Sequence, residues 1–294
     1  METRINGHTT MLGLFGSPVS HSGSPAMYNY SFEQAGINDA YLAFDIQADE
    51  MPRVLEKMRV LKMRGANVTM PCKNVAAKLV DELSPASELI GAVNTIVNND
   101  GVLVGHNTDG EGYVENLRYH GVDPKGKRLT VLGAGGAATA ITVQMALDGA
   151  TTIHIFNTKD IFYKNAELTA QKIMKRVPTC EVTVGDINNQ VALEEAIKKS
   201  DILANATKVG MAPNIDQSNI KNPNIFRPDL VVTDTVYNPA ETKMLADAKR
   251  HSSQTIGGKG MLVWQGAEAF KLYTGRRMPI ADVTRIFFAD DGGH

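Results

Sequence analysis

The run Gly133-Ala134-Gly135-Gly136-Ala137-Ala138 matches the pattern G-x-G-x-x-A. In such a run the first glycine allows a tight turn and the second lets backbone N–H groups approach a pyrophosphate. The small residue at its end lets a helix pack closely on a strand. A helix starting there offers about half a positive charge and free donors to the phosphate. The pattern alone is weak, and a ligand-free strand–helix turn is its plain alternative. Its context strengthens it: 129–132 reads as a strand of branched apolar residues, and a helical stretch runs on to about Leu147. Gly133, Ala134, Gly135, Gly136 and Ala137 are therefore candidate ligands of a dinucleotide, and a nicotinamide dinucleotide would accept or donate a hydride.

The next strand, 153–156, ends in Asn157-Thr158-Lys159-Asp160. The adenosine ribose is usually read at this strand end. An acidic residue accepts hydrogen bonds from the ribose hydroxyls of NAD and repels the 2′-phosphate of NADP. Asp160 is the candidate for that role, whereas Lys159 could pair with a 2′-phosphate. Either charge could also belong to a solvated strand end. NAD is the expected cofactor, with NADP left open.

The elements that must hold these residues alternate between short apolar strands and amphipathic helices, the pattern of an α/β protein with mainly parallel sheets. Strands are expected at 11–16, 41–46, 66–70 and 92–98, then at 129–132, 152–156, 181–184, 202–205, 230–233 and 255–256. The later series has the strand count of a doubly wound dinucleotide-binding (Rossmann) domain. The clearest early helix is 50–62, where Met51, Val54, Leu55, Met58 and Leu61 form one apolar stripe, with Asp49 as N-cap and Pro52 in the first turn. The segment 261–288 reads as two helices. Together these features imply an N-terminal α/β domain, 1–108, joined by C-terminal helices 262–290, and a Rossmann domain, 109–261. A cleft between domains is a usual ligand site.

Bulk properties narrow the function. The chain has 294 residues, a formal net charge of −2 and 43% hydrophobic residues, which suits a soluble two-domain protein and gives no surface for a nucleic acid. The two cysteines, Cys72 and Cys180, are far apart, so neither a disulfide framework nor a zinc site is expected and a cytoplasmic location fits. No signal peptide or membrane-spanning run is apparent, and 1–10 and 290–294 read as frayed tails. The seven histidines show no metal-binding spacing, so no metal is expected.

Several further segments resemble one family. Gly16-Ser17-Pro18-Val19-Ser20-His21-Ser22-Gly23-Ser24-Pro25 resembles the opening signature of the shikimate dehydrogenases. Asn67-Val68-Thr69-Met70-Pro71-Cys72-Lys73, Gly91-Ala92-Val93-Asn94-Thr95 and His106-Asn107-Thr108-Asp109-Gly110 are similar to their next signatures. So are Asn205-Ala206-Thr207-Lys208-Val209-Gly210-Met211, Asp234-Thr235-Val236-Tyr237-Asn238-Pro239 and Gly260-Met261-Leu262-Val263-Trp264-Gln265-Gly266. The matches occur in order along almost the whole chain. The resemblance is closest to the quinate/shikimate branch. Thr158 and Lys159 depart from the arginines that both branches are expected to carry after the second Rossmann strand.

The resemblance implies reversible oxidation of a ring hydroxyl of shikimate or quinate by NAD or NADP, with no metal and with a monomer or homodimer as the working form. It places Lys73 and Asp109 together beside the substrate as the catalytic pair, Lys73 exchanging the hydroxyl proton and Asp109 orienting it. It puts Ser22 and Ser24 on the substrate carboxylate, although helix capping before Pro25 is the other use of such serines. Thr69, Asn94, Asp109 and Gln265 could each bond a ring hydroxyl, and Asn94 could equally tie a turn. Tyr237 either packs on the nicotinamide or touches substrate. Lys208, Val236, Gly258 and Met261 join the cofactor side, core packing being the other reading of Met261. His21 has no matched partner and reads as structural. Two other readings share the fold: a methylenetetrahydrofolate dehydrogenase, whose pocket would not need this hydroxyl-reading set, and a non-catalytic cofactor sensor, in which Lys73 or Asp109 would be lost.

Overall fold

The computed structural model describes residues 5–288. Residues 1–4 of the first expected tail and all of the second, 290–294, lie outside the described residues, as does 289. Thr10 is not part of a tail, because it opens the first strand.

In chain order the first half contains β1 (Thr10–Gly16), α1 (Ser24–Gln34), β2 (Asp39–Asp45), α2 (Met51–Val60), β3 (Gly65–Val68), α3 (Lys73–Leu79), β4 (Glu82–Leu83), α4 (Pro85–Ile90), β5 (Thr95–Asn99) and β6 (Val102–His106). The second half contains α5 (Thr108–Tyr119), β7 (Arg128–Leu132), α6 (Gly136–Leu147), β8 (Thr152–Asn157), α7 (Ile161–Arg176), β9 (Glu181–Asp186), α8 (Gln190–Lys199), β10 (Ile202–Asn205), β11 (Val231–Asp234), α9 (Lys243–Arg250), β12 (Gln254–Ile256), α10 (Lys259–Thr274) and α11 (Ile280–Phe287). The chain forms two compact units, Met1–Thr108 with Val263–His294, and Asp109–Leu262. Leu262, expected with the first unit, groups with the second.

The first unit is built on a six-stranded sheet of order β2-β1-β3-β5-β6-β4. It is mixed rather than parallel throughout, because β5 runs antiparallel to both β3 and β6. Side chains alternate across β1. Leu12 and Leu14 face a core shared with Tyr28 and Phe32 of α1 and Phe270 of α10. Phe15 faces a second core with Met51, Leu55 and Met58 of α2. The α2 stripe thus buries Met51, Leu55 and Met58 with Val54 half-buried, whereas Leu61 is exposed because the helix has already ended there. Asp49 does not cap this helix. A 3-10 turn, Ala48–Glu50, leads into it, and Gln47 makes the reciprocal capping bonds with Glu50.

Two early strand expectations shift. The third strand stops at Val68, and the fourth begins at Thr95, which leaves 92–94 as a loop. β6 was not expected at all. It forms a hairpin with β5 through Asp100 and Gly101, whose φ angles of 51° and 99° suit the two-residue turn that Asp-Gly favours.

The second unit is a six-stranded parallel sheet of order β12-β11-β10-β7-β8-β9. Numbered within the unit and read from the β9 edge, it is the 3-2-1-4-5-6 order of a doubly wound dinucleotide fold. Helix α6 is apolar nearly all round, with Ala138, Ala140, Ile141, Val143, Met145 and Ala146 buried, which marks it as an internal helix.

Candidate active site

The chain climbs β7 and builds outward through β8 and β9, then returns to lay β10 on the other side of β7. The two strands that flank this reversal open a crevice at their C-terminal ends, the usual ligand position in such sheets. The glycine turn sits there. Gly133 has φ +108°, and a Cβ on it would lie 2.8 Å from the Ala206 carbonyl oxygen after β10, so no side chain is tolerated. Ala206 N–H donates to the Leu132 carbonyl (2.8 Å), which locks the two strand ends together. Gly135 is the N-cap of α6 and provides no side-chain cap, so the first N–H groups of that helix are left for a ligand. A Cβ at Gly135 or Gly136 would meet nothing within 4 Å. Open space above uncapped donors fits a pyrophosphate.

At the neighbouring strand end, Asn157 is partly exposed and Thr158, Lys159 and Asp160 are exposed. Asp160 caps α7: its Oδ1 accepts from Phe162 N–H at 2.8 Å and from Asn157 Nδ2 at 3.0 Å, and its Oδ2 accepts from the Thr158 hydroxyl at 2.8 Å. The hydrogen bond from Thr158 leads these in holding its carboxyl below the usual range, so it is charged at neutral pH. Lys159 and Lys208 form no ion pair among the described residues. The loop after β11 carries buried Val236 and half-exposed Tyr237. The chain after β12 crowds against it, since a Cβ on Gly258 would lie 2.5 Å from the Thr235 carbonyl oxygen. Met261 stands partly buried in the first turns of α10.

In the first unit Thr69 directly follows β3 and Asn94 directly precedes β5. Thr69 N–H donates to the Phe15 carbonyl (2.8 Å) and Ser17 N–H to the Met70 carbonyl (2.9 Å). Ser22 and Ser24 lie at the start of α1. Ser22 Oγ accepts from Ser24 N–H at 3.2 Å, so it closes the helix entry as a capping serine would, whereas the N-cap position itself is Gly23. The Ser24 hydroxyl has no partner among the described residues. Lys73 is half-buried at the first position of α3, and its carbonyl accepts from Val93 N–H (3.0 Å). The next residue, Asn94, is buried. Its Oδ1 accepts from Thr108 N–H (2.8 Å) and from the Thr95 hydroxyl (2.9 Å), and its Nδ2 donates to Thr108 Oγ1 (3.1 Å). Asn94 therefore does tie the turn. Asn67 joins this network: it donates to Thr95 Oγ1 (3.1 Å) and accepts from the Tyr41 hydroxyl (2.8 Å). Asp109 is in the first turn of α5, and Gln265 lies on α10.

Asn67, Asn205 and Asp234 carry no role legible in the sequence, although all three stand inside the family-like segments. Their signal was polarity at the end of a buried strand. Asp234 is buried, and desolvation pushes its carboxyl up to about 6.

A glycine turn and an uncapped helix at the reversal point of a 3-2-1-4-5-6 sheet define a dinucleotide-binding α/β protein. Family models agree on the particular kind. Residues 14–96 match the shikimate dehydrogenase substrate binding domain, and residues 258–285 match the shikimate 5′-dehydrogenase C-terminal domain. The chain is 48% identical to a shikimate dehydrogenase (NADP(+)) of Streptococcus uberis, over 99% of both chains. It is 45% identical to a quinate/shikimate dehydrogenase of Escherichia coli, covering 94% of this chain and 96% of that one. A crystal structure of shikimate 5-dehydrogenase from Listeria monocytogenes in complex with shikimate and NAD superposes with a TM-score of 0.94 at 45% identity, over 97% of this chain and 99% of that one. The chain belongs to the shikimate dehydrogenase family.

Proposed function

We propose that this protein reversibly moves a hydride between NAD(P) and a ring hydroxyl of shikimate or quinate. The reading is carried by the open, uncapped start of α6 at the strand reversal, in a chain alike from end to end to shikimate dehydrogenases. That end-to-end likeness sets aside the folate-dehydrogenase alternative, and the presence of both Lys73 and Asp109 speaks against a cofactor sensor.

The residue roles are part of the proposal. The N-terminal donors of α6 and the 133–137 backbone hold the pyrophosphate, residues 157–160 meet the ribose, and Lys208, Val236, Tyr237, Gly258 and Met261 form the nicotinamide end. The bound cofactor supplies or accepts the hydride. Lys73 takes the hydroxyl proton in oxidation and returns it in reduction, with Asp109 orienting the ammonium. Ser22 and Ser24, at the start of α1, hold the substrate carboxylate, and Thr69, Asn94, Asp109 and Gln265 read its hydroxyls. A pocket built this way rejects analogues lacking a hydroxyl, because a buried partner would be left unpaired.

For the cofactor we favour NAD, on the exposed charge of Asp160 at the ribose strand end. The NADP(+) in the name of the streptococcal relative, and Lys159 beside Asp160, support the opposite preference. The test is one set of assays: purified protein with NAD or NADP and shikimate or quinate, followed by the absorbance of reduced nicotinamide. Absence of reduction in all pairings at alkaline pH overturns the function. A higher kcat/KM with NADP overturns the cofactor preference alone.

A further inference from the structure

We propose that Asp234 is a positioning residue for the cofactor: its buried carboxylate ties together the two strand-end loops that carry Lys208 and Tyr237. The inference rests on the assignment of those loops to the nicotinamide end.

Asp234 is the last residue of β11. Its Oδ1 accepts from Asn205 Nδ2 (2.9 Å) at the end of β10 and from Val236 N–H (2.9 Å) in its own loop. Its Oδ2 accepts from the Thr242 hydroxyl (2.7 Å), and Thr242 is the N-cap of α9. Asn205 passes the connection on. Its Oδ1 accepts from Thr207 N–H (3.2 Å) and the Thr207 hydroxyl (2.7 Å), and its Nδ2 also reaches the Val209 carbonyl (3.3 Å). Lys208 is held between those two points. On the other side, Val236 N–H fixes the residue before Tyr237, and Gly258 packs on the same backbone. One side chain thus sets the spacing of both loops across neighbouring strands.

The carboxylate has no cationic partner among the described residues; every donor to it is an amide, an N–H or a hydroxyl. Desolvation raises its pKa, so keeping it charged costs stability. A group that costs stability and organises two loops at a ligand crevice is placed for function. What the loops need is its shape and two acceptor directions, not its charge. In Asp234→Asn the amide oxygen can still accept from Asn205 and Val236, while the amide nitrogen donates to Thr242 Oγ1, whose own proton turns away. In Asp234→Ala every link is lost.

The test uses the full chain, with NAD and NADP titrated directly and in steady-state assays with shikimate, at a temperature where circular dichroism shows each variant folded. Asp234→Ala should raise the cofactor KM and Kd by about tenfold or more, the loss of hydrogen bonds to a charged group, with the shikimate KM within about twofold. Asp234→Asn should restore the cofactor KM to within about threefold of wild type. Should Asp234→Ala not fold, Asn205→Ala removes one donor to Asp234 together with the bonds to the Lys208 loop, leaves those from Val236 and Thr242, and should raise cofactor KM severalfold. Unchanged cofactor affinity in folded Asp234→Ala or Asn205→Ala, or an Asp234→Asn as weak as Asp234→Ala, overturns the inference. If wild type itself reduces neither cofactor, the function has failed rather than this inference.

Discussion

Asn94 Oδ1 accepts a 2.8 Å hydrogen bond from the backbone N–H of Thr108, the residue that precedes Asp109 in the chain. Lys73 is bonded through its carbonyl to Val93, the neighbour of Asn94. The backbones at Lys73 and Thr108 are thus tied into one local network, and Asn94 is its middle link. Asn94→Ala would strand the buried Thr108 N–H, at a cost of about 1–3 kcal/mol. Urea unfolding should show that loss together with a fall in kcat/KM. A variant with wild-type stability and only a raised substrate KM would mean that Asn94 serves the substrate alone.

Lys73→Ala removes the proposed proton carrier. General acid–base catalysis contributes roughly 10²–10⁴-fold, so kcat should fall by that order in both directions, while the cofactor KM stays within a few-fold. Near-normal turnover would take Lys73 out of the mechanism. Asp109→Asn keeps a hydrogen-bonding partner but no charge, and its loss should be smaller than that of Lys73→Ala.

Asp160 has one observed role and one proposed role, and substitution separates them. It caps α7 through Phe162 N–H, and it presents an exposed negative charge at the strand end proposed to meet the ribose. Serine caps nearly as well as aspartate, whereas alanine cannot cap at all. Asp160→Ser should leave the melting temperature almost unchanged and move kcat/KM toward NADP over NAD. Asp160→Ala should shift the same ratio but melt earlier. A ratio that does not move in either variant would exclude Asp160 from cofactor choice.

Gly133→Ala puts a Cβ 2.8 Å from the Ala206 carbonyl and forces a side chain into φ +108°. Strain of about 1–3 kcal/mol follows. The cofactor Kd, read by nicotinamide fluorescence, should rise before stability is lost, because the turn can relax only by opening the strand reversal. Equal affinity to wild type would show that the turn does not contact the cofactor.

The Rossmann unit was legible because its signals are local. Each parallel strand is a short branched-apolar run, and Gly133 to Ala138 marks the turn between β7 and α6. The first unit was less so. β6 was missed although Asp100-Gly101 is a strong hairpin signal, since Val102–His106 shows no clean alternation on its own and gains strand geometry by pairing with β5. Residues 92–94 are apolar enough to pass for strand, but Asn94 bonds Thr108 and Val93 bonds Lys73, which holds them as a loop. Among the candidate site residues, the exposed and glycine positions stand out from the motifs as candidates. The inward-facing members do not: the value of Asp234, Asn205 and Asn67 lies in partners brought from other strands, and spacing along the sequence does not encode those.

Asp234 also predicts a pH signature of stability. Its native carboxyl titrates at about 6, above the usual aspartate value of 3.8, because burial disfavours the charge. Between those values the native state holds the proton more tightly than the unfolded chain does. Stability linked to this group is therefore greatest below the unfolded value and declines as pH rises toward and past 6. The size is on the order of 3 kcal/mol. Asparagine at this position carries no such titration. Urea midpoints of wild type and Asp234→Asn, compared at steps from pH 4.5 to 7.5, should converge or cross so that the variant gains on wild type as pH increases. Parallel midpoint curves would mean that the carboxylate is far better solvated than its burial under Asn205, Val236 and Thr242 allows.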